Sequence, residues 1–239
     1  MVRFEAGTYS IGTAGVGPGL EWEQPVHSVK LTAFRMDATE VTVAAYQACV
    51  AAGACSAAGL ADRIKTDYRS VECTWGRPGL EQDPIDCVTW DEAVAYCHWA
   101  GKELPTQEQW EVASRGSKGR DFPWGMGVAN RPWGLSAEKE DQVGCSCRRP
   151  NPTHTCPIGT NPASDSPEGV KDLATNVSEW TSSPLCPYSK PDCGETARVI
   201  KGGACINIGY PQELRGAFRL GRDPKTRATE IGFRCAASL

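Results

Sequence analysis

The chain has 239 residues, with 25 Lys and Arg against 29 Asp and Glu, for a formal net charge of −4. That length can bury a substantial core. No basic run exceeds two or three residues, so there is no electrostatic case for nucleic acid, and no apolar stretch approaches the roughly 18 residues of a membrane span. Twelve cysteines stand beside three histidines, His27, His98 and His154. With no C-x-x-C pair among them, the cysteines read as disulfides in an oxidising compartment rather than as a zinc site. Met1-Val2-Arg3-Phe4 runs directly into domain-like sequence without a signal peptide. The chain therefore reads as an extracytoplasmic domain (periplasmic, secreted, or the outer part of a membrane-anchored protein), freed of its leader or cut from a larger protein.

In chain order, residues 2–11 read as a short strand ending at Gly12, and residues 13–26 as a loop. Residues 29–36 alternate as one half-buried strand. Glu40-Val41-Thr42 leads into a helix. Thr42 is its N-cap, Ala45, Tyr46, Cys49 and Val50 form its stripe, and Gly53 stops it. Residues 53–86 form a long excursion held by disulfides. A second helix starts at Val88-Thr89-Trp90-Asp91, capped by Thr89 or Asp91, with Ala93, Val94, Cys97 and His98 at helical spacing before Gly101. Thr106 and Gln109 make a capping box for another helix start. Residues 116–170 are loop-rich. Asn176-Val177-Ser178-Glu179-Trp180-Thr181 reads as a short strand. The last forty residues open on Gly202-Gly203 and close on Gly232-Phe233-Arg234-Cys235.

Several of these stretches resemble one family in order: Glu40-Val41-Thr42; Val88-Thr89-Trp90; Tyr96-Cys97-His98-Trp99-Ala100-Gly101-Lys102-Glu103-Leu104-Pro105-Thr106; Phe122-Pro123-Trp124-Gly125; Asn176-Val177-Ser178-Glu179-Trp180; Lys201-Gly202-Gly203; and Gly232-Phe233-Arg234-Cys235. The chain is similar to the formylglycine-generating enzymes, or sulfatase-modifying factors, over essentially its whole length. Residues 1–239 therefore read as a single domain. The resemblance implies an α+β, modified C-type lectin-like fold, low in regular secondary structure, with two main helices and an irregular antiparallel sheet.

Founding members of that family oxidise a cysteine of a sulfatase to formylglycine with copper and oxygen, the metal held by two thiolates, which suit soft Cu(I). Aligned on Lys201-Gly202-Gly203, the first thiolate position falls at Asn207 and the second near Pro211 or Gln212. Cys205 stands two positions early and is the one weak catalytic candidate. Ala204 replaces a Ser, and Ser178 an aromatic. The resemblance also carries a calcium site onto Asp172, the carbonyls of Thr175 and Val177, and Glu179, a donor set that Ca²⁺ favours. Asn130 falls on a second, less complete set. Against calcium stands a reading in which Asp172 is a turn residue and Glu179 pairs with an arginine.

The resemblance pairs Cys97 with Cys235, and places a second family disulfide on Ser114 and Gly216, where both halves are missing together. Cys186 and Cys193 flank a hairpin-like loop and read as a pair. Cys49, Cys55, Cys73 and Cys87 read as two bridges among three possible connectivities; Cys145, Cys147, Cys156 and Cys205 remain. His98 reads as structural. Trp75, Trp90, Trp99, Trp110, Trp124 and Trp180 read as mostly core, with Trp133 in a loop. Arg215, Arg219 and Arg222 read as partners of carboxylates and carbonyls, although Arg219 matches a groove-lining position in the oxidases.

Two functions follow. One is a non-oxidase module that binds a peptide, protein or glycan through the segment between Cys205 and Arg227, with Asn207, Tyr210, Gln212 and Arg219 as contacts. The other is a copper- and oxygen-dependent oxidase of protein cysteine, with Cys205 joined by Cys145, Cys147 or Cys156.

Overall fold

The computed structural model describes residues 1–15, 21–61, 63–65, 70–125, 155–204 and 211–239. Three helices of similar length form at the three starts read from the sequence: α1 (Val43–Ala51), α2 (Trp90–Trp99) and α3 (Gln107–Arg115). Each begins on a threonine with extended backbone, whose hydroxyl accepts from an N–H of the first turn. Thr89, not Asp91, caps α2. The side chain of Glu92 returns to the Thr89 N–H at 2.9 Å, completing a capping box. Thr106 and Gln109 do the same for α3.

The first two expected strands are each split. Residues 2–11 form β1 (Val2–Phe4) and β2 (Gly7–Ile11), and the alternating run divides into β3 (His27–Leu31) and β4 (Phe34–Met36). Each run serves two sheets. β2 pairs with β3, whereas β1 and β11 (Ala236–Ser238) flank β4 antiparallel. Period-two alternation survives such a switch, so it does not show the break. β5 (Arg63–Lys65) and β6 (Ser70–Glu72) make a small antiparallel pair.

The largest sheet holds β7 (Ser178–Pro184), β8 (Arg198–Lys201), β9 (Leu220–Arg222) and β10 (Ile231–Gly232) in the order β10-β7-β8-β9, with the β10–β7 pair parallel. One apolar cluster gathers Tyr46, Tyr96, Trp180 and Phe233; a second gathers Phe34, Met36, Trp110 and Leu173. Phe233 is fully buried and meets Tyr96 edge-on at 5.4 Å, so the closing motif packs inside the fold.

The Cys97–Cys235 and Cys186–Cys193 bridges both form, and the open set resolves into Cys49–Cys55 and Cys73–Cys87. The end of α1 and the turn at Gly53 (φ 74°) bring Cys55 back beside Cys49. Among the described residues, no helix is long and apolar enough to cross a membrane.

Asp86 lies buried next to Cys87, its Oδ1 accepting from the N–H of Thr74 at 2.7 Å and from the Thr74 hydroxyl at 2.9 Å. Burial pushes its carboxyl up from 3.8 to about 7, against the pull of those hydrogen bonds. The folded chain therefore holds this proton more tightly than the unfolded chain. Asp86 contributes its full stability below pH 3.8, and that contribution is lost as pH rises through about 7. Thermal melts of Asp86→Asn should show a flatter decline across that window. A wild-type slope in the variant would refute the assignment.

Candidate functional site

The closing motif is held by the stretch leading into α1. The N–H of Val41 donates to the Phe233 carbonyl at 2.9 Å, and that of Asp37 to the Cys235 carbonyl at 2.8 Å. A Cβ on Gly232 would lie 2.7 Å from the Ile85 carbonyl oxygen, so only glycine fits there. The next residue, Arg234, is fully buried. Its Nε and Nη2 each reach a different oxygen of Glu179 at 2.7 Å, its Nη2 also donates to the Lys171 carbonyl at 2.8 Å, and its Nη1 donates to the Ala38 carbonyl at 3.2 Å. This fork-to-carboxylate geometry is what guanidinium provides and lysine does not. Trp110 Nε1 donates to the Oε2 of Glu179 at 2.8 Å. Burial opposes the Arg234 charge, but Glu179, Glu40 and Asp172 outweigh it and raise its pKa.

The expected calcium ligands lie beside this pair. Asp172 and Asn176 both have positive φ (59° and 65°), which bends the segment between them. Asp172 is 1% exposed; its Oδ2 accepts from the Gly159 N–H at 2.5 Å, while Oδ1 is buried without a donor. Burial pushes its carboxyl up to about 6. Among the described residues, neither the Thr175 nor the Val177 carbonyl accepts a hydrogen bond. Glu179 is paired with an arginine, but its Oε1 takes only one donor and keeps a lone pair. Two open carbonyls, an orphaned carboxylate oxygen and a partly open one are hard oxygen donors. They fit calcium and do not fit copper(I).

Gly202-Gly203 turns the chain from β8 over α3. Gly202 has φ 77°, and a Cβ there would lie 2.9 Å from the Trp110 ring; one on Gly203 would collide with Leu214. The Ser178 hydroxyl donates to the Gly202 carbonyl at 3.0 Å. Just before the turn, fully buried Lys201 reaches Glu111 Oε2 at 3.0 Å, and Glu111 Oε1 accepts from Arg115 Nη1 and from the Gly12 N–H, each at 2.7 Å. Burial alone would push the Glu111 carboxyl up, but Lys201 and Arg115 outweigh it and hold it below its ordinary value. The Lys201–Glu111–Arg115 ion pairs thus brace the chain just before the segment that follows Gly203.

Of the ligand-contact candidates, Asn207 and Tyr210 lie outside the described residues, as do the catalytic candidate Cys205 and Asn130, Cys145, Cys147, Trp133 and His154. Gln212 belongs to the short 3₁₀ turn Pro211–Leu214. Arg219 is 3% exposed. Its Nη2 donates to the Cys186 carbonyl at 2.7 Å, and its guanidinium sits 4.3 Å over the Tyr188 ring. It braces the Cys186–Cys193 loop from inside and does not project into solvent.

Arg215 pairs with buried Glu23 at 2.5 Å. Ser114 Oγ lies 2.8 Å from where a Cβ of Gly216 would stand, so the two vacated disulfide positions are neighbours in space. Cys156 is disulfide-bonded and offers no free thiolate. His27 lies on β3 and contacts the Pro25 carbonyl at 2.9 Å, while His98 is exposed on α2. Trp110 and Trp180 are core, but Trp99 is 43% exposed. It tilts against Tyr96 at the end of α2, leaving its other face to solvent. Glu40, which stands in the first family-like motif without an assigned role, proves to be 2% exposed. An acidic residue next to Val41 and Val43, both destined for the core, was the available signal.

Known proteins extend these observations. A family model described as the sulfatase-modifying factor enzyme 1-like domain matches residues 1–239. The chain is 35% identical over 162 residues to the inactive C-alpha-formylglycine-generating enzyme 2 of Mus musculus, covering 65% of this chain and 49% of that protein. It is 29% identical over 280 aligned residues to a formylglycine-generating enzyme of Streptomyces coelicolor, covering 99% of this chain and 88% of that one. The chain thus matches about half the length of the mouse protein and most of the bacterial one. The solved structure of PvdO from Pseudomonas aeruginosa superimposes with a TM-score of 0.74 at 21% identity, covering 99% of this chain and 93% of that one, which is a likeness of fold.

Proposed function

The chain belongs to the sulfatase-modifying factor family, and from that premise we propose that it is a non-oxidase member: a disulfide-braced, calcium-stabilised, C-type lectin-like module acting outside the cytoplasm. The carrying observation is an intact frame around missing chemistry. Gly202-Gly203 and Gly232-Phe233-Arg234-Cys235 stand in their family positions, while the two thiolate positions hold Asn207 and Pro211 or Gln212. A copper(I) centre needs two soft thiolates, and asparagine, proline or glutamine side chains do not supply them. The disulfide at Cys156 removes one partner that Cys205 would need. The mouse relative is itself named inactive.

The module binds a peptide, protein or glycan through residues 205–227, with Asn207, Tyr210 and Gln212 as contacts and Arg219 supporting the segment from beneath. The four disulfides seen complete among the described residues support an oxidising, extracytoplasmic setting. Calcium would be held by Asp172, the carbonyls of Thr175 and Val177, and Glu179. Its role there is structural, neutralising buried carboxylates.

The second reading is a cysteine oxidase with Cys205 plus Cys145 or Cys147. The near-complete alignment with the Streptomyces enzyme favours it. Copper(I) titration followed by oxygen uptake with cysteine-containing peptides separates the two. No stoichiometric copper and no oxygen consumption is the expected result. Tight one-to-one copper with turnover would replace the module reading by the oxidase.

A further inference from the structure

Glu40 is a buried acidic side chain with no hydrogen-bond donor from another described residue and only a long contact to a cation. Neither of its oxygens finds a hydrogen-bond donor on another residue among the described residues, and both are buried. Arg234 Nη2 stands 3.9 Å from Oε2, beyond hydrogen-bonding distance, and already donates to Glu179 and Lys171. Asp172 and Glu179 add like charge to the same neighbourhood. Three buried carboxylates therefore face one arginine. Burying a carboxylate without a partner is strongly unfavourable, and repulsion from its neighbours adds to that cost. A proton on Glu40 would cancel one charge. A divalent ion would cancel both excess charges and also take up the orphaned Asp172 oxygen.

We propose that Glu40 is the outer carboxylate of a calcium-class cation centre, accepting hydrogen bonds from water on an ion held at Asp172 and the open carbonyls of Thr175 and Val177. This rests on the calcium reading above. An outer role is assigned because the carboxylates do not converge tightly enough for direct ligation. Among the described residues, Cys73, Asp86 and Cys87 alone bring three metal-capable ligand atoms within 4.8 Å of one another, and those two sulfurs are joined in a disulfide. Calcium commonly keeps water ligands, and an orphaned carboxylate nearby is a natural acceptor for them.

The placement has a structural consequence. Glu40 immediately precedes Val41, whose N–H bonds to Phe233, while Asp172 lies one residue from Lys171, whose carbonyl takes Arg234. The ion would join the segment entering α1, the segment entering β7 and the closing motif at one point.

The test is calcium titration of the chelator-stripped full chain, by calorimetry and by terbium luminescence, with melts in calcium and in chelator. Wild type should bind and melt higher in calcium. Glu40→Gln should bind roughly 10–100-fold more weakly, yet melt in chelator no lower than wild type, because it removes an unpaired buried charge. Glu40→Asp, which keeps the charge but shortens the reach, should fall between them and serves if the glutamine variant does not fold. Affinity equal to wild type in the folded variants overturns the assignment of Glu40 while leaving calcium in place. Absence of binding and of any calcium shift in wild type overturns both.

Discussion

Replacing Arg234 with Met should lower the unfolding free energy by about 3–5 kcal/mol, the range for removing one partner of a buried ion pair. For a chain of this size that corresponds to a fall of roughly 6–20 °C in Tm. Arg234 and Glu179 are both fully buried and are joined by two 2.7 Å contacts. The arginine is also the cation nearest the unpartnered oxygens of Glu40 and contributes charge opposite Asp172. Without it, three carboxylates remain buried with no counter-charge. They would have to take up protons, so the deficit should shrink as pH falls.

Glu179→Gln added to Arg234→Met should recover part of the loss. An amide oxygen can still accept from Trp110 Nε1, and the uncompensated charge is gone. Chemical denaturation of the single and double variants provides the measurement. A loss below about 1 kcal/mol in the single variant would show that solvent reaches Glu179 and that the pair is not a closed buried one.

The second large effect is expected at the bridge to the chain end. Cys97→Ala with Cys235→Ala opens a loop with a sequence separation of 138, for which the chain-entropy model gives a loss of about 5 kcal/mol. Cys186→Ala with Cys193→Ala opens a separation of 7, for which the same model gives about 2.5 kcal/mol. Both cysteines of the long bridge are fully buried, and β11 follows directly, pairing Ala236 with Met36 of β4. Loss of the bridge should therefore loosen the edge of the three-stranded sheet as well as lower Tm. Melts of the two double variants under matched conditions test the ordering. Equal losses would mean that local strain or packing, and not loop closure, governs these bridges.

Particular elements show how far a linear reading reaches. The helix starts at Thr42, Thr89 and Thr106 could be placed because an N-cap is a hydrogen bond spanning three residues, and its donor and acceptor appear together in the sequence. The Gly202-Gly203 turn and the closing Gly232-Phe233-Arg234-Cys235 were visible because glycine marks backbone held close to its neighbours, as at Gly202 against the Trp110 ring and Gly232 against the Ile85 carbonyl. The split of residues 2–11 and 29–36 was not visible. Neither Glu5-Ala6 nor Thr32-Ala33 carries turn chemistry, and the sheet change there is set by which strands lie alongside. Arg219 followed a motif position, but its inward orientation depends on the Cys186–Cys193 loop folding over it.

The sequence by itself determined the family frame, the helix caps, and, through the family resemblance, the pairing of Cys97 with Cys235 and the expectation that Asn207 and Pro211 or Gln212 stand at the thiolate positions. These depend on residue identity at fixed spacing. Only the tertiary structure decided which cysteines among Cys49, Cys55, Cys73 and Cys87 meet, that Arg234 rather than another cation neutralises Glu179, and that Glu40 is left buried without a donor. The physical reason is range. A cap or a turn is settled within four residues, whereas the charge balance among residues 40, 172, 179 and 234 exists only after the fold has brought them together and excluded the water that would otherwise screen them.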